Sequence, residues 1–218
     1  MTDARTTTGV FEGLALWLVP RTTGDHDLVS AIRRESSVLR ERNAGRCSDE
    51  FGIHATLLAG LGDRSIGVNG LKQAVQQAVE QWKHVHHKSS LTVPLQSVTT
   101  KASYFQCILI ALSATPALTS LNHITSRIVN QSFPPPSPDP SEPYFPHISL
   151  LYADLSQSEA QSQILQMQQQ HVFKTLDHNP SHPHISFRGF THVEFDSIHL
   201  YDCTGTPQQW KHLHTIPL

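Results

Sequence analysis

The chain has 218 residues, 38% of them hydrophobic, with 16 Lys and Arg against 18 Asp and Glu and a formal net charge of −2. That is enough apolar material for one cored domain or two closely joined lobes. The charge balance argues against a protein that tracks a long nucleic acid, which would need a basic stripe. The three cysteines, Cys47, Cys107 and Cys203, are odd in number and widely spaced, which suits free thiols in a reducing compartment better than a disulfide framework.

Residues 1–11 are polar and threonine-rich and read as a disordered tail; residues 12–218 read as a single bilobal domain. The apolar run Leu14–Val19 is too short to span a membrane and ends at Pro20-Arg21 without a cleavage signal, so Gly13–Pro20 reads as the first strand. Over Asp27–Asn43, Leu28, Ile32 and Leu39 recur at helical spacing, with Gly45 as the stop. Phe51–Gly60 is a strand. Leu71, Val75, Ala78, Val79 and Trp82 form an apolar helical stripe that Asn69 can cap.

Leu91–Thr99 and Ser103–Leu112 read as a hairpin. Thr115-Pro116 opens a helix, with proline at its first position, that runs to about Ser132. The proline-dense loop 133–146 excludes helix. A strand at His147 follows, then a capping box at Ser156 and Glu159 with Ala160, Ile164 and Met167 behind it. Residues 171–183 read as a connection. Ile185–Phe190, His192–Cys203 and Trp210–Ile216 read as closing strands, with a turn at Thr204–Pro207. This alternation, with terminal hairpins, predicts an α+β fold with mostly antiparallel sheets.

Two tetrapeptides carry chemistry: His54-Ala55-Thr56-Leu57 and His147-Ile148-Ser149-Leu150. Side chains alternate along a strand, so His54 shares a face with Thr56, and His147 with Ser149. The reverse face of the second run carries Ile148, Leu150 and Tyr152, which suits packing against a helix and makes Tyr152 a core residue. Two such pairs facing each other supply an acid, a base and two hydroxyl donors around one small anion. A third copy, Pro183-His184-Ile185-Ser186-Phe187, is set aside because no capped helix follows it. The clusters His84, His86, His87 and His178, His182, His184 lack the cysteine or carboxylate spacing of a zinc site and read as surface histidines.

Each paired motif precedes a turn and a helix, at Asn69–Val85 and Ser156–Gln170. This duplication resembles the 2H phosphoesterases, which are named for two His-x-Thr/Ser-x motifs. The chain is most similar to the small cyclic phosphodiesterases of fungi and plants, from the Trp17 strand to the Trp210 segment. The resemblance implies a duplicated two-lobed fold around a central cleft, with no metal and no cofactor. It implies hydrolysis of nucleoside 2′,3′-cyclic phosphates to 2′-phosphates, and of ADP-ribose 1″,2″-cyclic phosphate to ADP-ribose 1″-phosphate, within RNA metabolism such as tRNA splicing. His147 would activate water, His54 would protonate the leaving oxygen, and Thr56 and Ser149 would hold the phosphate.

Tyr104 and Phe105 on the hairpin strand, with Tyr144 and Phe145 beside the proline-rich loop, are candidates to stack on a base. The expected partner is a small cyclic phosphate, with no long nucleic acid, no membrane span and a monomeric state. The expected location is intracellular and cytoplasmic, with a Golgi association known for fungal relatives. The alternatives are an RNA-end processing relative, either a 3′-exonuclease or a 2′,5′-RNA ligase-like protein, and a non-catalytic nucleotide- or RNA-binding module.

Overall fold

Local capping chemistry sets the helix boundaries. In a computed structural model, which describes residues 12–24, 27–61, 67–101, 103–135, 143–176 and 184–218, helix α1 spans Leu28–Arg42. The Asp27 carboxylate accepts from the Ser30 N–H at 2.8 Å and opens the helix. Asn43 closes it by donating its side-chain amide to the Leu39 carbonyl at 2.7 Å. The stop therefore precedes Gly45, which takes φ +82° in the turn beyond. Helix α2, Val68–His86, starts one residue before Asn69, so Asn69 lies inside the first turn and Gly67 is the cap. Helix α3, Pro116–Ser132, is capped by Thr115. Helix α4, Gln157–Gln169, carries the full Ser156–Glu159 capping box. The expected tail, part of the proline-rich loop, His178 and His182 lie outside the described residues.

Nine strands are present among the described residues: β1 Leu14–Pro20, β2 Ala55–Leu58, β3 Leu91–Thr99, β4 Ile108–Leu112, β5 His147–Leu151, β6 Phe173–Thr175, β7 Ile185–Phe187, β8 His192–Asp202 and β9 Lys211–Pro217. Some expectations change: the strands expected over Phe51–Gly60 and Ile185–Phe190 shorten to β2 and β7. Tyr104–Gln106 is a 3₁₀ turn, so Tyr104 and Phe105 do not lie on the hairpin strand. Residues 171–183 are not wholly a connection: β6 pairs with β7 as a separate two-stranded ribbon. Three residues are too few to show a period of two in the sequence.

All pairings are antiparallel, and they reveal a duplication. One half runs β1-α1-β2-α2-β3 and the other β4-α3-β5-α4-β8, with the β6–β7 ribbon inserted. At the centre β2 pairs with β5, β1 flanks β2, and β4 flanks β5. The third strand of each half crosses over: β3 pairs with β4, and β8 with β1. The long β8 also reaches β3 through His192–Phe195, so the pairings form a closed circuit, and β9 extends along β8.

The helices cover one face. Leu28, Ile32, Leu71, Trp82, Leu121 and Val129 share a single apolar core with Ala55, Ile148 and Leu150. Trp82, fully buried, donates its indole N–H to the Ala117 carbonyl at 2.9 Å and so ties α2 to α3. Trp17, with Ala15 and Cys203, belongs to a separate apolar cluster that includes Ala59 and Tyr201.

Both histidine strands carry a β-bulge at the same motif position. On β2 the register steps from Leu16↔Leu58 to Trp17↔Thr56, which leaves Leu57 as the extra residue. On β5 it steps from Ile108↔Leu151 to Leu109↔Ser149, which leaves Leu150 as the extra residue. An extra residue reverses the alternation of faces beyond it. Leu150 and Leu151 both enter the core, and Tyr152 turns to the histidine side. The expectation that Tyr152 packs behind the strand is corrected: its ring stacks on Phe51 at 3.7 Å and meets Phe105 and Trp210 edge-on.

Candidate active site

The central strand pair assembles the site. Ala55 is opposite Ile148, and both point into the core. Their neighbours therefore point the other way, and continuing the register by one residue sets His54 opposite Ser149 and Thr56 opposite His147. The two motifs meet head to tail across the pseudo-twofold, one imidazole and one hydroxyl from each strand. Trp17, opposite Thr56 on β1, extends this row.

The two imidazoles are held alike. His54 Nδ1 lies 2.6 Å from the Gly52 carbonyl, and His147 Nδ1 lies 2.9 Å from the Phe145 carbonyl. A carbonyl only accepts, so each Nδ1 carries the hydrogen, and in the neutral ring each Nε2 keeps its lone pair. One partner is the backbone two residues upstream in both cases, so the duplication extends to the tautomer.

Their surroundings differ. His54 is 6% exposed and lies flat on Trp17, with ring centroids 3.6 Å apart and planes 5° apart. Trp17 also stacks on Tyr201 at 3.8 Å. Burial pushes the His54 imidazole down to about 3, against the pull of the Gly52 carbonyl, and His147 lowers it further. His147 is partly exposed and stacks on Phe145 at 5.3 Å, over whose ring Lys101 Nζ sits at 3.9 Å. Burial lowers His147 as well, the Phe145 carbonyl opposing and the Lys101 charge adding. Burial thus favours the neutral form of both imidazoles; an anion between them would favour the protonated form.

The hydroxyls differ too. Ser149 Oγ donates to the Phe105 carbonyl at 3.1 Å, whereas the partly exposed Thr56 hydroxyl has no partner among the described residues. Tyr144 donates its phenol to the Thr56 carbonyl at 3.1 Å, and its ring packs on the core. That gives it a clamping position on β2 in place of an open stacking face. Tyr104 meets Phe105 edge-on, and Phe105 lies beside Tyr152 and Trp210.

His184 precedes β7, in the ribbon outside the central sheet, so the third motif does not join the other two. Among the described residues no group of three or more His, Cys, Asp or Glu side chains could hold a metal ion. Sequence reasoning missed Trp17, Phe51, Tyr201, Trp210 and Lys101 around the site. Their signal is only aromatic or basic type, since the segments that bring them there are far apart in the chain.

A duplicated antiparallel fold with two histidine strands paired at its centre is that of the 2H phosphoesterases. The chain belongs to the cyclic phosphodiesterase-like protein family, whose sequence profile matches residues 12–218. Its fold is similar to that of E. coli LigT complexed with 3′-AMP, with 17% identity, 95% of this chain and 98% of that chain covered, and a TM-score of 0.52. It is also similar to apo E. coli LigT, with 17% identity, 96% and 98% covered, and a TM-score of 0.50. A third likeness is to a crystal structure described as a phosphoesterase, with 15% identity, 95% and 98% covered, and a TM-score of 0.52. No curated protein sequence matches the chain. Family and fold together define a phosphodiesterase-type enzyme. Among the described residues no helix is long and apolar enough to cross a membrane.

Proposed function

We propose that the protein hydrolyses nucleoside 2′,3′-cyclic phosphates to 2′-phosphates, and ADP-ribose 1″,2″-cyclic phosphate to ADP-ribose 1″-phosphate, with His54 and His147 as its acid–base pair. The observation that carries this reading is the central register, in which Ala55 opposite Ile148 gathers two imidazoles and two hydroxyls on one face. The cyclic phosphate lies between the two Nε2 atoms. One imidazole takes a proton from water as its oxygen attacks phosphorus. The other, protonated on binding the anion, gives its proton to the departing 3′ oxygen, so the ring opens to a 2′-phosphate. Thr56 and Ser149 stabilise the charge that grows on the phosphoryl oxygens.

Burial favours one assignment of roles. The more deeply buried His54 holds its neutral form, which suits the base, and the more exposed His147 takes the proton more readily, which suits the acid. This is the reverse of the order that the family resemblance implies.

The test is turnover of 2′,3′-cyclic AMP by protein treated exhaustively with chelator. Activity should survive, with 2′-AMP as the product. His54→Ala and His147→Ala should each lose about 100-fold or more, the double variant should be little worse, and His184→Ala should stay near wild type. A substrate with sulfur in place of the 3′ oxygen needs no acid, so it should restore His147→Ala and leave His54→Ala impaired. Activity lost with chelator and regained with Zn²⁺ would overturn the two-histidine reading; rescue of His54→Ala alone would reverse the roles.

A further inference from the structure

A pocket of about 310 Å³ opens beside the catalytic face, at the lower end of the size range for small-molecule sites. It shares two walls with the histidine site. Gly52, which lines it, carries the carbonyl that holds His54 Nδ1, and Trp17, which also lines it, is the ring on which His54 lies. The rings of Phe51, Tyr201 and Trp210 line the pocket as well. An occupant therefore sits against the groups that position His54, among aromatic and polar side chains.

Two charges of opposite sign also line it, Arg33 from α1 and Glu50 from the segment leading into β2, beside Ile53, Pro207 and Gln208. Arg33 is exposed and has no hydrogen bond or ion pair among the described residues. The Glu50 side chain is 64% exposed, and its nearest cation among the described residues is Arg40 at 4.0 Å. A second phosphate would meet the guanidinium but be repelled by the carboxylate. A planar ligand that offers paired donors on one edge and paired acceptors on the next uses both.

We propose that this pocket receives the base of the cyclic nucleotide and selects guanine. The proposal rests on the reading of His54 and His147 as the cyclic-phosphate site. A carboxylate accepts only, and a guanidinium donates only, each in a two-pronged geometry. Guanine N1–H and N2–H₂ are adjacent donors that match Glu50, and O6 with N7 are adjacent acceptors that match Arg33. Adenine and cytosine set a ring-nitrogen acceptor beside their one amino group, and uracil sets its N3–H between two carbonyls. Each would turn a lone pair toward the Glu50 carboxylate.

The four nucleoside 2′,3′-cyclic phosphates, compared by kcat/KM, test the proposal. Wild type should favour the guanine substrate over the adenine one by about 10-fold or more, the scale of one good bidentate base contact. Glu50→Gln and Arg33→Ala should each bring that ratio close to 1, mainly through KM. Quenching of tryptophan fluorescence by 2′-GMP and by 2′-AMP gives the same comparison without turnover, since Trp17 and Trp210 line the pocket. Equal kcat/KM for all four bases, or a guanine preference that survives both substitutions, would overturn the proposal. If no cyclic nucleotide were hydrolysed, the catalytic reading would fail by itself. The titration would still decide the pocket, and equal affinities for 2′-GMP and 2′-AMP would sink it.

Discussion

Ser149 and Thr56 occupy equivalent motif positions, yet the structure treats them differently. Ser149 already donates to the Phe105 carbonyl and must give up that bond to serve a phosphoryl oxygen. Thr56 starts uncommitted among the described residues. Thr56→Ala should therefore lose on the order of 2–4 kcal/mol of transition-state stabilisation, as for a deleted oxyanion donor. Ser149→Ala should lose clearly less, because the wild-type hydroxyl exchanges one partner for another. Steady-state kinetics of the two variants, with unchanged thermal unfolding as a control on folding, measure the difference. Equal losses would mean that Ser149 turns to the phosphate at no cost. Both residues and both histidines were legible in the sequence, because the motif lies within four consecutive residues. The unequal hydrogen bonding was not, because Phe105 arrives from a 3₁₀ turn in another part of the chain.

The paired bulges are the corresponding feature at the scale of an element. A bulged residue drops out of the hydrogen-bond ladder, and the buried Leu57 carbonyl finds another donor: Asn122 on α3 gives its side-chain amide to it at 2.7 Å. That bond pins the first histidine strand to the helix layer. Asn122→Ala leaves a buried carbonyl unpaired and should cost about 1–3 kcal/mol, seen as a lower denaturant midpoint at constant slope. A midpoint within error of wild type would show that water replaces the amide. Sequence reading found the helices and most strands, because apolar stripes and caps are local. It mistook the face of Tyr152, because alternation holds only while no residue is added. The bulge at Leu150 is defined against β4, and a strand does not carry its partner's register in its own residues.

For the whole molecule, the buried imidazole ties stability to pH. His54 is held down to about 3, against an ordinary 6.5. Between those values the unfolded chain binds a proton that the folded chain refuses. Its contribution is therefore complete above pH 6.5 and is lost as pH falls toward 3, by up to about 1.4 kcal/mol per pH unit. His147 and His199, also lowered by burial, act in the same direction. Glu159 is held down to about 2 from 4.5, chiefly by hydrogen bonding to Arg46, and adds its own loss only below about pH 4.5. The slope between pH 6.5 and 4.5 thus reports imidazoles. His54→Gln should flatten the dependence of Tm on pH in that window, and unfolding scans at several pH values check it. Parallel curves for wild type and variant would sink the claim.

The sequence by itself determined the four helices, the N-terminal caps of α3 and α4, most of the strands, the two matched motifs and the class of chemistry. All of these depend on residues within a turn or two of one another. Only the tertiary structure decided that β2 pairs with β5 with Ala55 opposite Ile148, that the third strand of each half crosses to the other, and that Trp17 lies flat on His54. Those arrangements follow from burying one continuous core beneath both halves at once. That demand joins residues as far apart in the chain as Leu14 and Asp202 and leaves no periodic trace along it.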